Sequence, residues 1–144
     1  VVDAGGKYTF TGTNASLNVF SIPGGSLGSV RTMNFNVPAS ASVVLNITGG
    51  AATWTNGQSF MNGQAMPGTT LGSRVLYNFP AAGALSVSSW APQGTVLAPS
   101  AAVSMSNGAI NGMLIANTLT TSATGFTCPG AFEGALPPSV FPTP

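Results

Sequence analysis

The chain of 144 residues carries few groups able to do acid–base or metal chemistry. Its carboxylates are Asp3 and Glu133, at opposite ends of the sequence, and its basic residues are Lys7, Arg31 and Arg74. It has no histidine and a single cysteine, Cys128. A triad hydrolase needs a histidine beside its nucleophile, and a two-carboxylate glycosidase needs both acids in one cleft. The residue inventory offers neither arrangement. Zinc sites draw on Cys and His clusters, and calcium sites on several acids, so no metal and no cofactor are expected. Three dispersed cations make no track for phosphates, so no nucleic-acid partner is expected. Gly24-Gly25 and Gly49-Gly50 open no predicted helix and read as turns, not as phosphate loops. The expectation is a protein that is not an enzyme.

What remains is chemistry of contact. Trp54, Trp90, Tyr77 and Tyr8 offer ring faces on which a neutral ligand such as a sugar could stack, with core packing as the alternative role. Asn14-Ala15-Ser16 and Asn46-Ile47-Thr48 are glycosylation sequons, so Asn14 and Asn46 are candidate acceptors. Thr118, Thr120 and Thr121 with Ser104 and Ser106 are candidates for a flat ice-binding face, although they do not read as a regular Thr-x-Thr ladder. Cys128 cannot form an internal disulfide and reads as a small buried hydrophobe, or else as an intermolecular cross-link.

The elements that must position these groups are strands. Charged residues make up 3% of the chain, against about 25% in ordinary globular domains. Gly, Pro, Ser, Thr, Asn and Val dominate, which favours strands and turns over helices. Alternation predicts strands over Lys7 to Thr11, Leu17 to Ile22, Met33 to Val37, Val43 to Ile47 and Thr53 to Thr55. Asn56-Gly57 is a type I′ turn signal, and 56–73 reads as a loop holding Met61 and Met66. The first ten residues do not read as a signal peptide, as in a processed chain or an excised fragment. No apolar run reaches the ~18 residues that span a bilayer. One domain over 1–134 is expected, with Ala131 to Gly134 laying Phe132 against the last coil. A Pro-rich tail over 135–144 follows.

The best clue to architecture lies between Gly94 and Gly125. Gly94-Thr95-Val96-Leu97-Ala98-Pro99 nearly repeats as Gly112-Met113-Leu114-Ile115-Ala116-Asn117. An earlier copy runs from Leu76 through Pro80 to Ser88, with Pro80 in the place of Pro99. Short strands recurring at this period predict an all-β chain wound as a β-solenoid, a right-handed β-helix with rungs of about 18–20 residues. An antiparallel β-sandwich is the runner-up.

The order LNVFSIPGGSL, MNFNVPASASVVLNITG, LYNFPAAGALSVS, GTVLAPSAAVSMSNGAINGMLIANTL and AFEG resembles the choice-of-anchor A domain over about residues 17–134. The resemblance lacks the family's longer N-terminal segment. It implies a secreted or cell-surface β-rich domain of adhesive or matrix proteins, and no catalytic residues. The last coils also look distantly like those of β-solenoid ice-binding proteins. A neutral surface with little long-range repulsion tends to associate with itself or with another neutral surface. The expected function is therefore an extracellular structural or adhesive module that self-assembles into a layer or fibre. A carbohydrate- or surface-binding module is the alternative, with ice binding a further one.

Overall fold

The computed structural model describes residues 1–67, 69–127 and 131–137. Its strands are β1 (Val2–Ala4), β2 (Lys7–Thr11), β3 (Leu17–Pro23), β4 (Thr32–Asn36), β5 (Ser42–Thr48), β6 (Ala51–Thr55) and β7 (Gln58–Met61). They continue as β8 (Gln64–Ala65), β9 (Val75–Asn78), β10 (Ala84–Ser88), β11 (Thr95–Ser106), β12 (Ala109–Asn111), β13 (Leu114–Ser122) and β14 (Gly125–Thr127). Two 3₁₀ turns, Gly24–Ser29 and Leu71–Arg74, are the helical pieces among the described residues. The fold is all-β, as the composition requires.

Pairing is overwhelmingly parallel. β2, β4 and β7 run parallel in a five-stranded sheet, which β1 and β8 extend as antiparallel edges. A seven-stranded sheet joins β3, β5, β9, β11, β10 and β6, with β13 also on β11, and every pairing in it is parallel. β12 and β14 form a small parallel pair. An antiparallel sandwich is thereby overturned: among the described strands the antiparallel pairings are the two short hairpins β1–β2 and β7–β8, and the consecutive strands β10 and β11 pair in parallel. β4 and β5, although close in sequence, lie in different sheets and each pairs with an earlier and a later pass of the chain.

The spacing is as read in the C-terminal half and longer before it. Leu85 faces Val103 and Val96 faces Leu114, which is the register of the sequence repeat. Tyr8 faces Met33 across a longer pass, and Val44 faces Leu76 across one longer still. That longest pass contains β7, β8 and the second 3₁₀ turn, in the stretch that read as a loop. β7 escaped notice because Gln58-Ser59-Phe60-Met61 buries a serine on its inner row, so its alternation is not one of apolar with polar.

Corners stack as the strands do. Asn56, Ser89, Asn107 and Ala123 all take positive φ, between 46° and 51°, at the end of successive passes. Asn56 N–H donates to the Ser88 carbonyl, Ser89 N–H to Ser106 and Asn107 N–H to Ser122. Asn56-Gly57 is thus a corner between sheets and not the turn of a hairpin. Gly94 and Gly112, the heads of the sequence repeat, also stack. A Cβ on Gly112 would overlap the Gly94 carbonyl, and both take positive φ, so only glycine fits.

Inward rows from the passes build one core. Phe10 stacks on Phe35 at 5.2 Å between ring centroids, Trp54 meets Tyr77 edge-on at 4.9 Å, and Trp54 lies 5.3 Å from Trp90. Each fully buried side chain of this size contributes roughly 1.5–3 kcal/mol or more against exposure. The described residues after β14 turn back across the molecule. Glu133 N–H donates to the Ser73 carbonyl at 2.8 Å, and Ala135 N–H donates to Ser42 Oγ at 2.7 Å. Phe132 is thus flanked by residues tied to earlier passes, at Ser73 and Ser42. Val44 on β5 and Leu76 on β9, which face out from the core cluster, are also buried.

Candidate adhesive face

The five-residue segments 51–55, 84–88, 102–106 and 118–122 share one pattern, small–apolar–hydroxyl–apolar–hydroxyl, broken only where Thr121 and Thr118 enter the last copy. A strand turns alternate residues to opposite faces. In each segment the second and fourth residues therefore point one way, and the first, third and fifth the other. Ala52, Leu85 and Val103 go to the core, as do Trp54, Val87 and Met105. The other face is left to alanine, serine and threonine.

Parallel in-register pairing aligns these outward residues. Ala51, Ala84, Ala102 and Thr118 form one row. Thr53, Ser86, Ser104 and Thr120 form the second, and Thr55, Ser88, Ser106 and Ser122 the third. Strands lie about 4.8 Å apart and alternate residues about 6.6 Å apart along a strand. The result is a grid of hydroxyls and methyls on four adjacent strands. None of these hydroxyls takes part in a hydrogen bond among the described residues. Side chains this short lose little rotamer freedom on contact, since Ser and Thr have one heavy-atom torsion.

One border of the grid is protected and the other is open. The 3₁₀ turn Gly24–Ser29 lies against β6, so close that a Cβ on Gly24 would come within 2.9 Å of the Ala51 carbonyl oxygen. Arg31 Nη1 reaches the Thr55 carbonyl at 3.3 Å. At the far border, β13 pairs with β11 and with no other described strand. Its inward Leu119 is 43% exposed and the inward Phe126 of β14 is 51% exposed. Neither charge nor proline interrupts β13, the usual devices that blunt a strand edge.

The sequence candidates divide sharply. Ser104 and Thr120 share one row, Ser106 stands in the next and Thr118 in the first, while Thr121 falls on the inward row opposite Met105. Thr53, Thr55, Ser86, Ser88 and Ser122 belong to the same grid and were missed. The signal was present in the repeated five-residue pattern, but the long pass between β6 and β10 sets its first two copies far apart in the chain. Trp54, Trp90 and Tyr77 are 0%, 1% and 0% exposed, and Tyr8 is also buried. Their rings pack in the core, which leaves no face open to an external ligand, so the stacking role gives way to the packing one. Burial also pushes the Tyr77 phenol above the usual tyrosine range.

Asn14 is exposed in the corner between β2 and β3, its Oδ1 accepting from the N–H groups of Ser16 and Leu17. Asn46 lies half-buried in mid-β5, its Oδ1 accepting from Asn78 Nδ2 at 2.7 Å. Cys128 and the tail over 138–144 lie outside the described residues. Among those described, no cluster of His, Cys, Asp or Glu could hold a metal ion, and no helix is long and apolar enough to cross a membrane.

A family model described as "Putative Ice-binding-like adhesive domain" matches residues 1–127. The chain belongs to the ice-binding-like adhesive domain family. The match carries the adhesive character that the choice-of-anchor A resemblance implied, under a different family. No curated protein and no solved structure matches the chain. Membership covers all four strands of the grid, since β13 ends at Ser122.

Proposed function

We propose that the domain is a non-enzymatic, extracellular adhesive module whose contact surface is the hydroxyl grid of β6, β10, β11 and β13. The observation that carries this reading is the in-register alignment of Thr53, Ser86, Ser104 and Thr120 beside Thr55, Ser88, Ser106 and Ser122. Stacked parallel passes with stacked corners support a β-solenoid. A regular, uncharged array of short side chains suits a target that is itself a regular lattice of hydrogen-bonding groups. Each hydroxyl contributes little alone, so adhesion rests on many contacts made together without loss of side-chain freedom. Ordered water at an ice surface is the first target to test, and a crystalline polysaccharide is the second.

Ser104→Tyr and Thr120→Tyr raise the middle of the grid without touching the core. Wild-type protein should partition into growing ice or onto crystalline cellulose, and both variants should lose at least tenfold of that binding at unchanged melting temperature. Equal binding by folded variants would refute the grid as the contact face.

A second reading is supported by the open border. Self-assembly through β13 would pair its free edge and cover Leu119 and Phe126. Light scattering across concentration and salt decides it. Monomer under every condition removes self-assembly and leaves adhesion standing.

A further inference from the structure

The five-stranded sheet carries a groove on its outer side, bounded by the antiparallel hairpins β1–β2 and β7–β8. It encloses about 380 Å³ and is lined by Lys7, Thr9, Thr32, Asn34 and Phe60, with Gly63 at its flank. That volume lies within the range of small-molecule sites, roughly 300–1,000 Å³. We propose that this groove binds an acidic saccharide, with a uronic acid ring over Phe60 and its carboxylate at Lys7.

Three features point to that ligand. The first is the ring. On the described strands Tyr8, Phe10, Phe20, Phe35, Trp54 and Tyr77 sit on inward rows. Phe60 is on an outward row, half-buried, in the line Thr9–Asn34–Phe60 that crosses three strands. Adjacent strands lie about 4.8 Å apart, so this line spans about 10 Å, the length of roughly two sugar rings. An aromatic face flanked by hydroxyl and amide groups matches a pyranose, which has an apolar face and a polar rim.

The second feature is the amide. Asn34 Nδ2 donates to Asn36 Oδ1 at 2.9 Å, and Asn34 Oδ1 accepts from Gly63 N–H at 3.3 Å. These bonds fix the amide and leave one N–H and one lone pair for a ligand hydroxyl. The Thr9 and Thr32 hydroxyls are used in no hydrogen bond among the described residues; Thr9 lies across from Asn34 on β2, and Thr32 two residues before it on β4.

The third is the charge. Arg31 Nη1 is held by the carbonyls of Gly28, Val30 and Thr55, and Arg74 Nη1 by the carbonyl of Ala39. Those two cations serve the fold. Lys7 lines the groove, and in register it pairs with Ala4 and Thr32, while Asp3 pairs with Tyr8. One cation at the groove's side suits one carboxylate of the bound saccharide.

The groove and the hydroxyl grid are on different sheets, so this inference does not rest on the grid. Titration of the full chain with tetragalacturonate, followed by NMR shifts and calorimetry, tests it, with cellotetraose as the neutral probe of equal length. Tetragalacturonate should bind at low salt and shift the amides of Thr9, Asn34 and Phe60. Lys7→Gln should weaken it about fivefold and remove its salt dependence, the scale of a solvent-exposed ion pair. Phe60→Leu keeps an apolar side chain there but no ring, and should weaken both saccharides. Ser104→Tyr should bind tetragalacturonate as the wild type does, which separates this outcome from any failure of the grid. No binding of tetragalacturonate, equal binding of the two probes, or full affinity in Lys7→Gln would overturn the proposal.

Discussion

At the scale of single residues, the tightest constraint joins Gly57 to Trp90. A Cβ on Gly57 would overlap the Trp90 ring, which is itself buried and in contact with Trp54. The ring cannot withdraw without disturbing the aromatic core. Gly57→Ala should therefore cost at least about 1–3 kcal/mol, the usual range for overpacking, read as a drop in the midpoint of chemical denaturation. Gly25→Ala, where a Cβ meets nothing within 4 Å, is the matched control and should stay close to wild type. Tyr77 gives a second test. Burial holds its proton in the folded chain at a pH where the unfolded chain has lost it. Its contribution to stability is complete below about pH 10 and is lost as pH climbs beyond that, by up to about 1.4 kcal/mol per pH unit. With no histidine to titrate, the melting temperature should be level from about pH 5 to 9 and fall above about pH 10. Tyr77→Phe should flatten that alkaline fall.

At the scale of elements, strands were legible wherever apolar and polar residues alternate. Lys7–Thr11 matches its expected bounds, and Leu17–Pro23 and Ser42–Thr48 nearly do. What alternation cannot reveal is partner and direction. The pairing of β11 with β13 was visible because Gly94 and Gly112 head two similar passes, but nothing in β5 names β9 as its neighbour across a longer, unlike pass. The grid was half-visible for the same reason. Its residues were noticed on β11 and β13, and only the register brings in β6 and β10. The aromatic candidates failed because a large ring between strand residues reads the same whether it faces in or out, and here Trp54 and Tyr77 face in. Two elements carry tests of their own. Ser42→Ala removes the hydroxyl that accepts the Ala135 N–H, and should cost about 1 kcal/mol and raise proteolysis after Gly134. Leu119→Lys places a charge on the open inner row of β13, and should block the association proposed for that edge, read by light scattering.

For the whole molecule, the scarcity of charge and the stacked small residues belong together. With five charged side chains in 144 residues, long-range steering is weak and contact must come from surfaces that match closely. Adhesion through the grid should therefore change little between low and high salt, whereas acidic-saccharide binding in the Lys7 groove should fall. The two proposed surfaces lie on different sheets, so a lattice at the grid and a saccharide in the groove should bind without competing.

The most direct measurement is partition of folded protein into growing ice and onto crystalline cellulose, with Ser104→Tyr and Thr120→Tyr beside wild type. The account expects at least one of the two solids to retain wild type and release both variants. Retention of the variants at wild-type levels, or no retention of wild type by either solid, would contradict it.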